Sequence, residues 1–252
     1  MPRTYMERLD RPAASLDVFH PHCVRPMAFG ALGILLVLAA TVTSGQTTPD
    51  SASPAWKREA VDTAAKADYL SPAERDVVLE INRARTDPPE YARTVLAPMR
   101  DYYRDKLLRF PGEMPVSTVE GRPALEECIK FLMAAKPVPP LSPSKGLALA
   151  ARDQARDQGK TGAIGHGGAD GSTMESRLSR YGEWGGAAGE NIDYGNGDAR
   201  RIVASMLVDD GVPSRGHRQN LMDARFNAVG VSIGTHPTYG HMCVIDLAGS
   251  YE

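Results

Sequence analysis

Apolar residues at Val77, Val78, Ile81 and Ala84 recur at the spacing of a helix with one inward face. Ser71 can cap that helix, Pro72 suits its first position, and Glu74 can reach back to the capping amide. The same spacing puts Asn82, Arg83 and Arg85 on the solvated side. Asp87-Pro88-Pro89-Glu90 stops the helix and starts a short second one carrying Tyr91, Val95 and Leu96. A further short helix is predicted from Leu125 to Ala135. After Ser142-Pro143, a stripe of mostly small residues (Leu147, Ala148, Ala151, Ala155) lets a neighbouring element approach closely. Ser172-Thr173-Met174-Glu175 opens another helix, with Met174, Leu178 and Tyr181 as its core stripe. Asp198 caps a helix whose Ile202, Val203, Met206 and Leu207 face inward, closed by Gly211 and Pro213. The pattern then changes. Residues 226–234 and 242–248 are Val- and Ile-rich runs around the turn His236-Pro237-Thr238-Tyr239-Gly240, and they predict a hairpin of largely buried strands. Helices before and between strands indicate a layered α/β arrangement. Residues 97–141 are the least patterned part and read as a partly ordered connection covering one side of a cleft.

The N-terminus differs from the rest. Met27 to Thr43 is an uncharged apolar run behind Arg25, followed by Ser44-Gly45. That is the pattern of a secretory signal, and its length also lies at the lower edge for a membrane anchor. Residues 1–26 form either a long n-region or a stretch ahead of a start at Met27. The domain reading is therefore a leader over 1–45, a linker over 46–70 that opens with the Ser/Thr/Pro-rich Gln46 to Trp56, and one globular domain over 71–252 with an extended connection at about 97–141.

Composition narrows the partners. The chain of 252 residues is 42% hydrophobic with a net charge of −2, so no basic surplus points to nucleic acid. Membrane contact is expected only if the leader stays attached. Of the three cysteines, Cys23 precedes the apolar run; Cys128 and Cys243 are either a disulfide pair or two buried thiols.

The candidate chemistry lies in glycine-flanked polar segments between 164 and 222. His166 sits in Gly165-His166-Gly167-Gly168, Glu190 in Gly189-Glu190-Asn191-Ile192, and His217 in Gly216-His217-Arg218. Glu175 is the fourth candidate, although Ser172-x-x-Glu175 also reads as a capping box that explains it without chemistry. Two imidazoles and two carboxylates converging on one cleft can bind zinc or another divalent cation, or form a hydrogen-bonded acid/base cluster. His236 reads as a turn residue, and His241 starts the last strand.

These residues resemble the CAP superfamily: cysteine-rich secretory proteins, antigen 5 and pathogenesis-related 1 proteins, also called the SCP domain. Gly216-His217-Arg218-Gln219-Asn220-Leu221-Met222 matches the family's GHRxN segment, and Gly189 to Ile192 matches GENI. Ile81-Asn82-Arg83-Ala84-Arg85 matches its leading helix, and His166 follows the alanine-rich helix as the family's first histidine does. The resemblance spans about Ser71 to Ser250 and lacks the cysteines of eukaryotic members, which points to the bacterial branch. It implies an α+β fold, a three-layer α-β-α sandwich with a central, mostly antiparallel sheet. It also implies a cleft in which His166, His217, Glu190 and Glu175 hold a metal in some members.

Three functions fit. The first is an exported module that binds an extracellular lipid or protein ligand through a cation-dependent or hydrogen-bonded cleft. The second is a zinc-dependent protease or esterase with Glu190 or Glu175 as base. The third is a lipid or sterol carrier. No HExxH or GxSxG segment and no cysteine in the histidine segments favours an enzyme, so the binding module leads.

Overall fold

The computed structural model of the chain describes Trp56 and residues 58–252. The apolar run at 27–43, Cys23 and most of the expected linker lie outside the described residues. Among the described residues no helix is long and apolar enough to cross a membrane.

The elements follow in order: α1 (Arg58–Val61), α2 (Pro72–Thr86), α3 (Pro88–Tyr91), a π turn (Ala92–Leu96) and a 3-10 turn (Ala97–Tyr102). Three two-residue strands come next, β1 (Tyr103–Arg104), β2 (Leu107–Leu108) and β3 (Val116–Ser117), then α4 (Arg122–Ala134) and β4 (Ser142–Pro143). The second half holds α5 (Lys145–Thr161), α6 (Met174–Leu178), β5 (Trp184–Tyr194), α7 (Ala199–Val208), α8 (Gly216–Met222), β6 (Ala228–His236) and β7 (Gly240–Tyr251). The local chemistry sets the ends. Ser71 and Glu74 form the capping box of α2, Asp198 caps α7, and Gly162, at φ +71°, closes α5 in the left-handed conformation that glycine adopts without strain.

The fold is α+β, with helices on both faces of a central, mostly antiparallel sheet in the order β4-β6-β7-β5. β6 and β7 are the predicted hairpin, paired from Ala228↔Ala248 to His236↔Gly240. Only β4 runs parallel to its neighbour. α5 packs on one face. Its closest approach is at Gly230, where an added Cβ would fall 2.1 Å from the Leu147 backbone. α2 and α7 cover the other face, with α4 packed against α7, around Val77, Ile81, Leu125, Ile202 and Leu207.

Several expectations are corrected. Asn82 and Arg85 are not solvated; both are fully buried. Asn82 Nδ2 donates to the carbonyls of Val61 and Leu141, and its Oδ1 accepts the Leu141 amide at 2.7 Å. Arg85 donates to the carbonyls of Pro139, Leu221, Asp223 and Phe226 at 2.7–3.0 Å. Helical spacing identifies a face, and it cannot say that a loop will wrap over that face with carbonyls in need of donors. Burial pulls the Arg85 guanidinium down to about 10. Residues 61–70 are packed rather than a free linker, with Val61, Ala64, Ala67 and Leu70 buried. The 97–141 connection is ordered and sends Tyr103, Leu125, Cys128 and Leu132 into the main core. Thr173 caps α6, with Ser176 closing its box, so Ser172 and Glu175 do not form one. Tyr181 is exposed, its hydroxyl on Asp153 rather than in the core. Cys128 and Cys243 are free, buried thiols.

Replacing Arg85 by Met should keep helix propensity but leave the four carbonyls without their donors. At ~1 kcal/mol or more for each, the expected loss is ~4 kcal/mol or more, read by urea unfolding. A loss under ~1 kcal/mol would show that water replaces the guanidinium.

Candidate functional site

β5 organises the site. Among the described residues it borders the sheet, paired only with β7, and from Ala188 to Tyr194 its register is unbroken. Consecutive side chains therefore point to opposite faces. Glu190 faces the layer of α5 and α6, and Asn191 faces the layer of α7 and α8. This strand does not announce itself in the sequence, because Gly185, Gly186, Ala187, Ala188 and Gly189 give no apolar alternation and the register shifts between Gly185 and Ala188.

On the first face His166 Nδ1 lies 2.8 Å from Glu190 Oε1. Glu190 Oε2 accepts from Arg177 Nη2, also at 2.8 Å, and both of these side chains are 1% exposed. Arg177 Nη2 reaches the His166 carbonyl as well. The loop bearing His166 is tied down further: Gln154 and Gln158 donate to the Gly165 carbonyl, and the Gly165 amide donates to Tyr194 Oη at 2.9 Å. Opposite Glu190 on β7 stands Asp246, fully buried. Burial and the charge of Glu190 push its carboxyl well above the usual range. It stands beside Glu190, which Arg177 and His166 engage through its two oxygens.

On the second face His217 Nδ1 lies 2.7 Å from Asp209 Oδ1, while Asp209 Oδ2 accepts the His217 amide at 2.9 Å. Asp209 ends α7 with φ +54°, a left-handed conformation that Asp tolerates better than most residues. Asn191 Nδ2 donates to the His217 carbonyl at 3.0 Å, and Asn220 Nδ2 donates to Asn191 Oδ1 at 2.9 Å. The GENI and GHRxN segments thus lock to each other through their asparagines. Two positions along β5 from Asn191, Asp193 accepts from Asn196 Nδ2 at 2.9 and 3.0 Å. Burial pushes its carboxyl up to about 7.

The 97–141 segment buttresses this second face. Asp210 accepts the amides of Val119, Glu120 and Gly121. Glu120 accepts two bonds from Arg215, and Glu127 two from Arg218. The loop that carries Asp209 and His217 is thereby clamped from outside.

The four expected residues do not all meet in one hollow. His166 and Glu190 pair on one face of β5, His217 lies on the other, and Glu175 is exposed on α6 with no side-chain partner among the described residues. Alternation along β5 is the reason for the division. Both imidazoles use Nδ1 for a buried carboxylate and leave Nε2 without a partner among the described residues, on rings 39% and 20% exposed. Such a carboxylate–imidazole pair fixes the tautomer and the orientation of the ring. Among the described residues, however, no group of three or more His, Cys, Asp or Glu side chains is placed to hold a metal ion, and Glu190 already has both oxygens engaged.

Three contributors were missed in the sequence: Arg177, Asp209 and Asp246. Asp246 carried a signal, being a lone carboxylate inside the apolar run Met242 to Ala248. Arg177 and Asp209 carried none.

The profile of the CAP, cysteine-rich secretory protein family matches residues 78–247. Comparison with curated proteins returned no significant match. Among solved structures the chain is similar to an extracellular protein containing an SCP domain from Bacillus anthracis, at 24% identity and TM-score 0.37. That match covers 44% of this chain and 34% of the other, so it spans about a third of that relative's length. It is also similar to an outer surface protein of Borrelia burgdorferi, at 20% identity and TM-score 0.37, covering 43% of this chain and 76% of the other.

The raised Asp193 carboxyl has a definite pH signature. Its folded value of about 7 lies above the ordinary value of about 3.9. Its contribution is therefore intact below pH ~4, is lost as pH rises to ~7, and is flat above that. Asp193→Asn should gain on the wild type by up to ~4 kcal/mol between those limits. Parallel urea-unfolding curves for the two proteins across this range would overturn the assignment.

Proposed function

The chain belongs to the CAP, cysteine-rich secretory protein family, and on that premise we propose that it is an exported binding module. Two carboxylate-oriented imidazoles present Nε2 to an extracellular ligand across the β5 border. The observation that carries this reading is the paired geometry of His166 with Glu190 and His217 with Asp209. Each buried carboxylate holds its ring by one nitrogen and leaves the other as the directional contact. Export is supported by the apolar run Met27–Thr43 behind Arg25 and by the secretory character in the family's description.

The hydrogen-bonded form of the module is preferred to the metal-centred form, because the remaining donors are two imidazole nitrogens without a third protein ligand beside them. A general base made of imidazole and carboxylate is the feature that favours a hydrolase. Against it, no hydroxyl or thiol among the described residues is hydrogen-bonded to either Nε2 to serve as nucleophile.

The test compares the wild type with His166→Ala/His217→Ala in three assays: zinc titration by calorimetry, an ester and peptide panel with and without chelator, and sterol and fatty-acid pull-down. The binding reading expects zinc uptake equal in the two proteins and no turnover that depends on the histidines. Capture of a lipid by the wild type alone would identify the ligand class. Hydrolysis abolished in the double variant would overturn the reading in favour of the enzyme. Zinc uptake confined to the wild type would replace it with the metal-centred form.

A further inference from the structure

The sheet has a second open border, remote in sequence from the histidines. Among the described residues β4 pairs only with Ala228 and Val229. Its chain then donates the Ser144 amide to the Val229 carbonyl at 2.8 Å and turns away into α5. β6 continues to His236, and among the described residues no strand lies beside it past Val229 except β7. The Ile233 amide points to this border, donating to Glu74 Oε1 at 3.1 Å. Thr235, two residues on, has the same orientation. α5 passes the border at Gly159, where an added Cβ would stand 2.9 Å from the Thr235 carbonyl oxygen.

A cavity of about 370 Å³ lies along this border, lined by residues 232–235, Glu74 and the cations Arg152, Arg156 and Lys160. The three cations recur every fourth residue on one side of α5. Among the described residues none of them is in an ion pair, and Arg156 and Lys160 are exposed. The carboxylate of Glu74 is already engaged, by Ser71 through Oε2 and by Ile233 through Oε1. α5 runs alongside β6, with Ala148 at Gly230, Ala155 at Gly234 and Gly159 at Thr235. Four helical residues advance ~6 Å, and two strand residues advance ~6.6 Å. Carboxylates at alternate positions of an added strand would therefore keep step with the three cations.

We propose that this border docks an extended acidic peptide segment, which adds to β6 in line with β4 and sets its carboxylates against Arg152, Arg156 and Lys160. β4 shows that the border accepts a parallel strand. The backbone groups of Thr235, which have no hydrogen-bond partner among the described residues, select a peptide over a sulfated glycan or polyphosphate, which would engage the cations alone. The proposal does not depend on the histidine cleft.

The experiment uses the full chain and a short fluorescein-labelled peptide alternating Glu and Val, read by anisotropy. Saturable binding by the wild type is expected, weakened at least ~10-fold in Arg156→Glu/Lys160→Glu. These positions are exposed, so the thermal melt of the variant should match the wild type. The same peptide with alternate backbone amides methylated, which keeps its charges and removes strand donors, should also lose at least ~10-fold. No saturable binding, or equal binding by the double variant, overturns the proposal. Undiminished binding of the methylated peptide overturns it in favour of a simple polyanion site. Wild-type self-association that the double variant loses, seen by sedimentation, would assign the border to a second copy of the chain instead.

Discussion

The alternation of side chains along one border strand governs this molecule's chemistry. Glu190 and Asn191 are neighbours in sequence and point to opposite layers. The carboxylate of Glu190 is buried and must be balanced, and Arg177 and His166 meet that requirement on one face. Asn191 serves the other face by bonding the His217 carbonyl and receiving Asn220. A shift of one residue in the pairing of β5 with β7 would exchange the two and leave a carboxylate among apolar side chains. The nine paired positions of that ladder therefore protect the site as much as the core.

The parts of the fold legible in the sequence were those set by local rules. The capping box at Ser71, the cap at Asp198, the hairpin from 226 to 248 and the close-packed alanine stripe of α5 depend on nearest neighbours in the chain. What stayed hidden depends on tertiary partners. Asn82 and Arg85 look like ordinary polar helix residues until loops at 139–141 and 221–226 arrive with carbonyls to satisfy. β5 has too many small residues to carry a period, and it is recognisable only once β7 pairs with it. In the site, the histidines and Glu190 were visible as polar residues in glycine-flanked segments. Their partners were not, because an arginine in a short helix and an aspartate at a helix end are commonplace. Glu175 fitted a capping pattern in the sequence, but the helix starts at Met174 behind its cap Thr173 and leaves Glu175 exposed.

The long connection between the π turn and β4 also has a physical role. Asp210 gathers three consecutive amides, and two arginines flanking His217 each form paired bonds with a glutamate of that connection. Paired bonds of this kind fix orientation as well as distance. A loop that must hold a left-handed aspartate and an imidazole in register is thus braced by a segment that otherwise looks peripheral.

The bonds of Arg85 span 136 to 141 residues when they reach Leu221, Asp223 and Phe226. Closing so long a loop has to precede the reward. For a chain that emerges N-terminus first, the guanidinium appears early and stays hydrated until nearly the whole domain has followed. α2 can then seat itself against those carbonyls only at the end, so its docking is a late event in folding.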